Sequence, residues 1–182
     1  VSGSCAGWGT VGVLRGGGYP SGTVAGIEPR PEACGAAQGN GRINGLEERL
    51  TVLEGDVRHI RTLLPAADFS CVIANPPYFR VGSGKAGRNS AVARTEQCLT
   101  LAELCTAAAW LLPPGGRFAL VHRAERLCDL LCALRAAGLE PKRVQPVRHN
   151  AESPVRLLLL EARRGGRPGL TLLPGPAECE KD

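Results

Sequence analysis

The stretch Ile73-Ala74-Asn75-Pro76-Pro77-Tyr78-Phe79 carries the residues best suited to chemistry. Two successive prolines fix φ and supply no N–H, so they leave carbonyl oxygens that no neighbouring amide donor satisfies. The Asn75 side chain adds another acceptor, and Tyr78 offers a flat stacking face. Together these groups suit a planar, weakly nucleophilic NH2: two acceptors hold both amine protons while the ring clamps the flat group. Held in this way, the nitrogen lone pair can be aimed at an electrophile, which is catalysis by proximity and orientation. A plain diproline turn is the alternative reading of the same residues.

Three polar residues close three β-type runs: Glu28 after Thr23 to Ile27, Asp56 after Leu50 to Leu53, and Asn75 after Phe69 to Ala74. In an open α/β sheet ligands bind beyond the carboxyl ends of the strands, so this pattern suits a cofactor pocket. Taken singly, each such residue is equally at home as a helix cap or turn former. A competing signal is Gly7-Trp8-Gly9-Thr10-Val11-Gly12, which fits G-x-G-x-x-G with Glu28 at about the spacing of a dinucleotide fold. Eight of the first 22 residues are Gly, so a chance match is easy, and no hydride-transfer site follows. His59, His122 and His149 show no ligand spacing, and His122 reads as a structural histidine at the pocket rim. Cys128 and Cys132, one helical turn apart, read as small apolar residues on a buried helix face. No CxxC pair occurs among the eight cysteines, so no metal is expected.

The elements that must position these residues alternate. After the strand at Thr23 to Ile27 comes a helix over Pro31 to Asn44, with Pro in its first turn and Asn44-Gly45 ending it. The strand at Leu50 to Leu53 leads to a short helix over Val57 to Leu64, and the strand at Phe69 to Ala74 runs into Asn75. Leu101 to Leu112 is helical in composition and is stopped by Pro113-Pro114-Gly115-Gly116. A fourth strand, Arg117 to Val121, precedes an amphipathic helix over Glu125 to Ala137 that ends at Gly138. Arg143 to Val147 and Val155 to Ala162 complete the set as strands. Such alternation predicts an α/β fold, a mostly parallel sheet with helices on both faces, in a single domain spanning residues 1 to 182.

Composition agrees. The chain has 182 residues, 43% hydrophobic and 21% charged, which excludes a disordered or collagen-like protein. No apolar run approaches the roughly 18 residues of a membrane span. The cysteine pattern lacks the density of a disulfide scaffold, and a cytoplasmic location is expected. With no Met and a first residue of Val1, the chain is expected to begin inside a domain. The net charge of +5 is unevenly spread: Arg80, Lys85, Arg88 and Arg94 share a stretch without an acid, a pattern that is usually solvated surface and alone favours a nucleic-acid partner only weakly.

Asn75-Pro76-Pro77-Tyr78 after a strand resembles the catalytic motif of S-adenosylmethionine-dependent amino methyltransferases. The rest of the chain resembles one branch, the bacterial tRNA1(Val) (adenine-37-N6)-methyltransferases. The similarity lies in Gly26-Ile27-Glu28-Pro29-Arg30-Pro31-Glu32, Asn44-Gly45-Leu46, Leu53-Glu54-Gly55-Asp56, Pro114-Gly115-Gly116-Arg117-Phe118 and Gly138 to Arg143. It implies a Rossmann-like class I methyltransferase fold, with S-adenosyl-L-methionine as cofactor and tRNA or another RNA as partner. By the same resemblance Gly3, Ser4 and Gly7 belong to the cofactor loop, Glu28 accepts from the ribose hydroxyls, and Asp56 sits at the cofactor's adenine amine. Asn75 and the Pro76 carbonyl would hold the target N6 amine beside Pro77, with Tyr78 stacked on the flipped base. Phe79, Arg80, Lys85, Arg88 and Arg94 would meet the RNA.

The family's first motif resembles D-L-G-S-G-T-G and reads here Val1-Ser2-Gly3-Ser4-Cys5-Ala6-Gly7. Val1 replaces the acid, and Cys5 places a side chain where backbone must approach the cofactor closely. The strand preceding that loop in the usual fold is expected to be missing at the N-terminus, leaving its neighbours in the sheet unpaired. Alternative readings are methylation of a glutamine amide on a release factor or of guanine N2, which present a comparable NH2, or a non-catalytic, degraded RNA-binding remnant.

Overall fold

A computed structural model describes residues 22–76, 99–150 and 152–175, together with the backbone of 11–15. The first of its strands, β1, is Val11–Arg15, and β2 is Thr23–Glu28. Helix α1, Pro31–Ile43, starts with Pro at its first turn, where a missing N–H costs nothing. It stops at Asn44, followed by Gly45 at φ 63°, a left-handed geometry that favours glycine. Strand β3 is Leu50–Glu54, and the predicted helix after it divides into a 3-10 turn, Val57–His59, and one turn of α2, Ile60–Leu63. Strand β4, Cys71–Ala74, stops at Asn75.

Helix α3, Leu101–Leu111, is fixed by a reciprocal cap: the Glu103 N–H donates to Thr100 Oγ1 at 3.2 Å, and the Thr100 N–H donates to Glu103 Oε2 at 2.7 Å. Strand β5 is Arg117–Arg123, followed through a 3-10 turn by α4, Leu127–Ala136, which Gly138 terminates at φ 74°. Strands β6, Leu139–Val147, β7, Leu157–Arg164, and the two-residue β8, Thr171–Leu172, finish the fold. No helix among the described residues is long and apolar enough to cross a membrane.

All strands join one sheet in the order β3-β2-β1-β4-β5-β7-β6-β8. Strands β2, β3, β4, β5, β6 and β8 run one way and only β1 and β7 oppose them, so the expectation of a mostly parallel α/β sheet holds.

The centre of the sheet departs from expectation. Instead of a gap flanked by unpaired strands, β1 lies between β2 and β4, antiparallel to both. Val11 pairs with Ile27 and Ala74, and Leu14 with Val24 and Cys71. Two facing strand edges present rows of unmet N–H and C=O groups that an extended segment can satisfy. The connection from Arg15 to Thr23 is too short for the crossover that a parallel pairing needs, so β1 can enter only antiparallel to β2.

One face of the sheet carries the main core. Ile27, Val72, Ala74, Phe118, Leu120, Leu158 and Leu160 are buried with Leu104, Leu111, Leu130 and Leu134 of α3 and α4. Each of these Val, Leu, Ile and Phe side chains contributes about 1.5–3 kcal/mol relative to exposure. Helix α1 covers the opposite face over β2 and β3. There Cys34 is buried beside Val52, and Gly41 approaches so closely that a Cβ would lie 3.2 Å from Leu50 Cδ2. Farther along that face Ile73 is 48% and Leu159 42% exposed, so among the described residues no helix covers β4 to β7. The buried stripe of α4 is Leu130 and Leu134, with Leu127 and Leu131 partly covered. Cys128 and Cys132 are exposed, which corrects the expectation of a buried pair: in this helix the i, i+3, i+4, i+7 positions belong to leucines.

Candidate functional site

The carboxyl ends of β2, β3 and β4 lie on one rim, where the parallel strands part on either side of β1. This is the switch point at which open α/β sheets bind ligands. Glu28 closes β2 and is 2% exposed. Its Oε1 accepts from the Arg30 backbone N–H at 3.2 Å and from Arg30 Nε at 3.0 Å. Adjacent pairing brings β3 to the same level: Glu28 is opposite Glu54, and the Gly55 N–H donates to the Glu28 carbonyl at 3.1 Å. Gly55 passes so close to Leu63 that a Cβ there would meet Leu63 Cδ1 at 2.7 Å.

Asp56 follows directly and caps the 3-10 turn. Its Oδ1 accepts from the Arg58 N–H at 2.8 Å, and its Oδ2 accepts from Arg58 Nε at 2.9 Å and Nη2 at 2.5 Å. These side-chain bonds hold the Asp56 carboxyl below its ordinary value. A depressed carboxylate stabilises the fold above its unfolded pKa and loses that contribution as pH falls through the folded value. Asp56→Asn is therefore expected to melt at a lower temperature than the unaltered chain at pH 7. The gap should narrow as pH drops below about 4, near the ordinary value of 3.8. Paired thermal melts across pH 7 to 3 check this.

Both rim acids thus share one arrangement, an acid tied to the arginine two residues on. The sequence reading did not single out Arg30 and Arg58; the signal that finds them is the repeated acid-x-Arg, Glu28-Pro29-Arg30 and Asp56-Val57-Arg58, after two neighbouring strands. Asn75 emerges at the end of β4, exposed, and Pro76 behind it is buried. Of the sequence-predicted residues, the fold brings Glu28, Asp56, Asn75 and Pro76 to this rim. Pro77, Tyr78, Phe79, Arg80, Lys85, Arg88, Arg94, Gly3, Ser4 and Gly7 lie outside the described residues.

His122 is 2% exposed, on the core face two residues past Leu120 at the end of β5. Burial lowers its pKa from the usual 6.5, so the folded chain holds it neutral. Below about pH 6.5 the unfolded chain takes up a proton that the native one refuses, and stability falls until the native histidine titrates too. A His122→Gln chain is expected to lose this part of the acid dependence between pH 7 and 5. Melting temperatures of both chains over that range test it; parallel curves would count against a neutral buried His122. Among the described residues no group of three or more His, Cys, Asp or Glu could hold a metal ion.

Two carboxylates at the switch point form an acceptor-only set, suited to a ligand that presents hydroxyl or amine donors. The chain matches no family model. It is 31% identical over 147 residues to the tRNA1(Val) (adenine(37)-N6)-methyltransferase of Porphyromonas gingivalis, covering 80% of this chain and 58% of that protein. A protein of the same name from Dickeya chrysanthemi is 40% identical over 99 residues, 54% of this chain and 39% of the relative. The chain therefore spans less than two thirds of the length of these curated relatives. Among solved structures, a predicted O-methyltransferase from Agrobacterium tumefaciens superposes with a TM-score of 0.65 at 19% identity, covering 82% of this chain and 65% of that one. The fold is that of the class I methyltransferases.

Proposed function

We propose that this chain, a homologue of the tRNA1(Val) (adenine(37)-N6)-methyltransferases over four fifths of its length, methylates the exocyclic N6 amine of an adenine in RNA, with tRNA as substrate and S-adenosyl-L-methionine as cofactor. The observation that carries this reading is the shared rim: Asn75-Pro76 leaves β4 beside the ends of β2 and β3, which carry Glu28 and Asp56. The acceptor set fits the cofactor, whose ribose hydroxyls and adenine amine are all donors. Glu28 would take the hydroxyls, and Asp56 the amine. When bound, the cofactor supplies an electrophilic methyl group on a sulfonium centre.

Everything else falls to the chain's own residues. The Asn75 side-chain carbonyl and the Pro76 carbonyl would accept the two protons of the target amine, turning its lone pair out of conjugation with the purine ring. Orientation rather than acid–base chemistry is then the source of rate, as a neutral amine needs no prior deprotonation. Pro77 would stiffen the corner and Tyr78 would stack on the extruded base, with the Gly3-Ser4 and Gly7 segment at the cofactor. Phe79, Arg80, Lys85, Arg88 and Arg94 would contact RNA.

The test is product identity. Unmodified tRNA incubated with the chain and the cofactor, then digested to nucleosides, should yield N6-methyladenosine by mass spectrometry. Methyl groups recovered instead on guanine N2, or on a glutamine side chain of a supplied release factor, would replace this reading with one of its alternatives.

A further inference from the structure

The two rim acids are held in place by different means. Glu28 is 2% exposed, so packing at the end of β2 limits how its side chain can turn. Asp56 is not enclosed in this way: its side chain is 30% exposed and that of Arg58 37%. Hydrogen bonds fix it instead. The Arg58 N–H donates to Asp56 Oδ1, the bond expected of an N-cap at the start of a 3-10 turn. The guanidinium of the same residue donates to Oδ2 through both Nε and Nη2. Capping accounts for the first bond and leaves the guanidinium unexplained.

An exposed ion pair adds little to stability, so the consequence of the guanidinium is geometric. With an amide on one oxygen and a planar fork on the other, the carboxylate has both its position and its plane set. An ionised carboxylate has about four lone-pair sites, and Arg58 fills one on Oδ1 and two on Oδ2. The site that is left lies on Oδ1 and can accept one further N–H. Held rigidly, it suits an exocyclic amine and opposes a carbonyl oxygen at the same place on a ring. A carboxylate free to turn could instead reach a neighbouring ring N–H and tolerate the carbonyl.

We propose that Arg58 is a positioning residue: its fork turns Asp56 so that Oδ1 accepts one N–H of the cofactor's 6-amino group, which makes the site select adenine over a purine carrying a carbonyl at C6. This rests on the cofactor role given to Asp56 above. It assigns the discrimination to a residue that itself touches no part of the cofactor.

Calorimetric titration of the 182-residue chain with S-adenosylhomocysteine and with its 6-oxo counterpart, S-inosylhomocysteine, tests the assignment. The unaltered chain should prefer the adenosyl compound about 10- to 100-fold, the range for a hydrogen bond to a charged acceptor. Arg58→Ala should cut that preference about tenfold, at the lower end of the same range. Arg58→Lys should recover little of it, because an ammonium keeps the charge and loses the fork. In an Asp56→Asn chain, Arg58→Ala should change the preference no further, since the two residues act as one unit. Arg42→Ala, exposed at the far end of α1, serves as the control and should leave the preference intact. Thermal melts show that each variant is folded at the temperature of titration. A preference unchanged in Arg58→Ala, or affinity for both compounds lost in equal proportion, overturns the positioning role and leaves the proposed function standing. Equal affinity of the unaltered chain for both compounds, or no binding of either, overturns the cofactor role of Asp56, and the assignment with it.

Discussion

Asn75→Ala is expected to lower methyl transfer about 100- to 1,000-fold while leaving the melting temperature within a degree or two of the unaltered chain. The magnitude is that of removing one preorganised hydrogen-bonding group aimed at a reacting centre. Stability should hold because Asn75 is exposed beyond the last residue of β4, outside the paired strand. The loss should fall on kcat rather than on KM for RNA, since in the proposed role the amide would act on one amine and not on the nucleic-acid backbone. Asn75→Asp provides the contrast. It keeps an acceptor at the same position but adds a negative charge, so partial activity is expected rather than full. Single-turnover rates at saturating RNA and cofactor measure both. A loss confined to KM would show that Asn75 binds RNA without orienting the amine.

Glu28→Gln should weaken S-adenosylmethionine binding about 10- to 100-fold, the range for hydrogen bonds to a charged acceptor. The substitution keeps the volume of a 2%-exposed side chain, so packing at the end of β2 survives. What changes is the acceptor: the carboxylate accepts from Arg30 and, in the proposed role, would accept from two ribose hydroxyls as well, whereas an amide presents one acceptor oxygen and an NH2 that opposes donors. Glu28→Ala should lose at least as much affinity and some stability, because Arg30, 40% exposed, also loses its partner. Calorimetric titration alongside thermal melting separates the two effects. Equal cofactor affinity in Glu28→Gln would remove Glu28 from the site.

Much of the scaffold was legible because local signals agreed with tertiary packing. Pro31 and Asn44-Gly45 bound α1 as predicted, and Gly138 ends α4 as predicted. Strands β2, β3 and β5 fall within a residue or two of their expected limits. Strand β6 was read four residues short, from Arg143. Pro141 sits inside it, and the register shift between Pro141 and Arg143 hides its alternation. Strand β1 was not legible at all. Val11-Gly12-Val13-Leu14-Arg15 lies in a glycine-rich stretch, and its strand state comes from the two edges it pairs with rather than from its own propensity.

The placement of Glu28, Asp56 and Asn75 on one rim was legible because each follows or closes a β-type run. The arginines were not singled out, since the repeated acid-x-Arg gains meaning only once the two strands that precede it are known to be neighbours.

The most direct test of the rim as a methyl-donor site is calorimetric titration of the 182-residue chain with S-adenosyl-L-methionine. One saturable site per chain, competed by S-adenosylhomocysteine and weakened in Glu28→Gln, is the expected result. Heats indistinguishable from dilution, or saturable binding that Glu28→Gln and Asp56→Asn leave untouched, would contradict it.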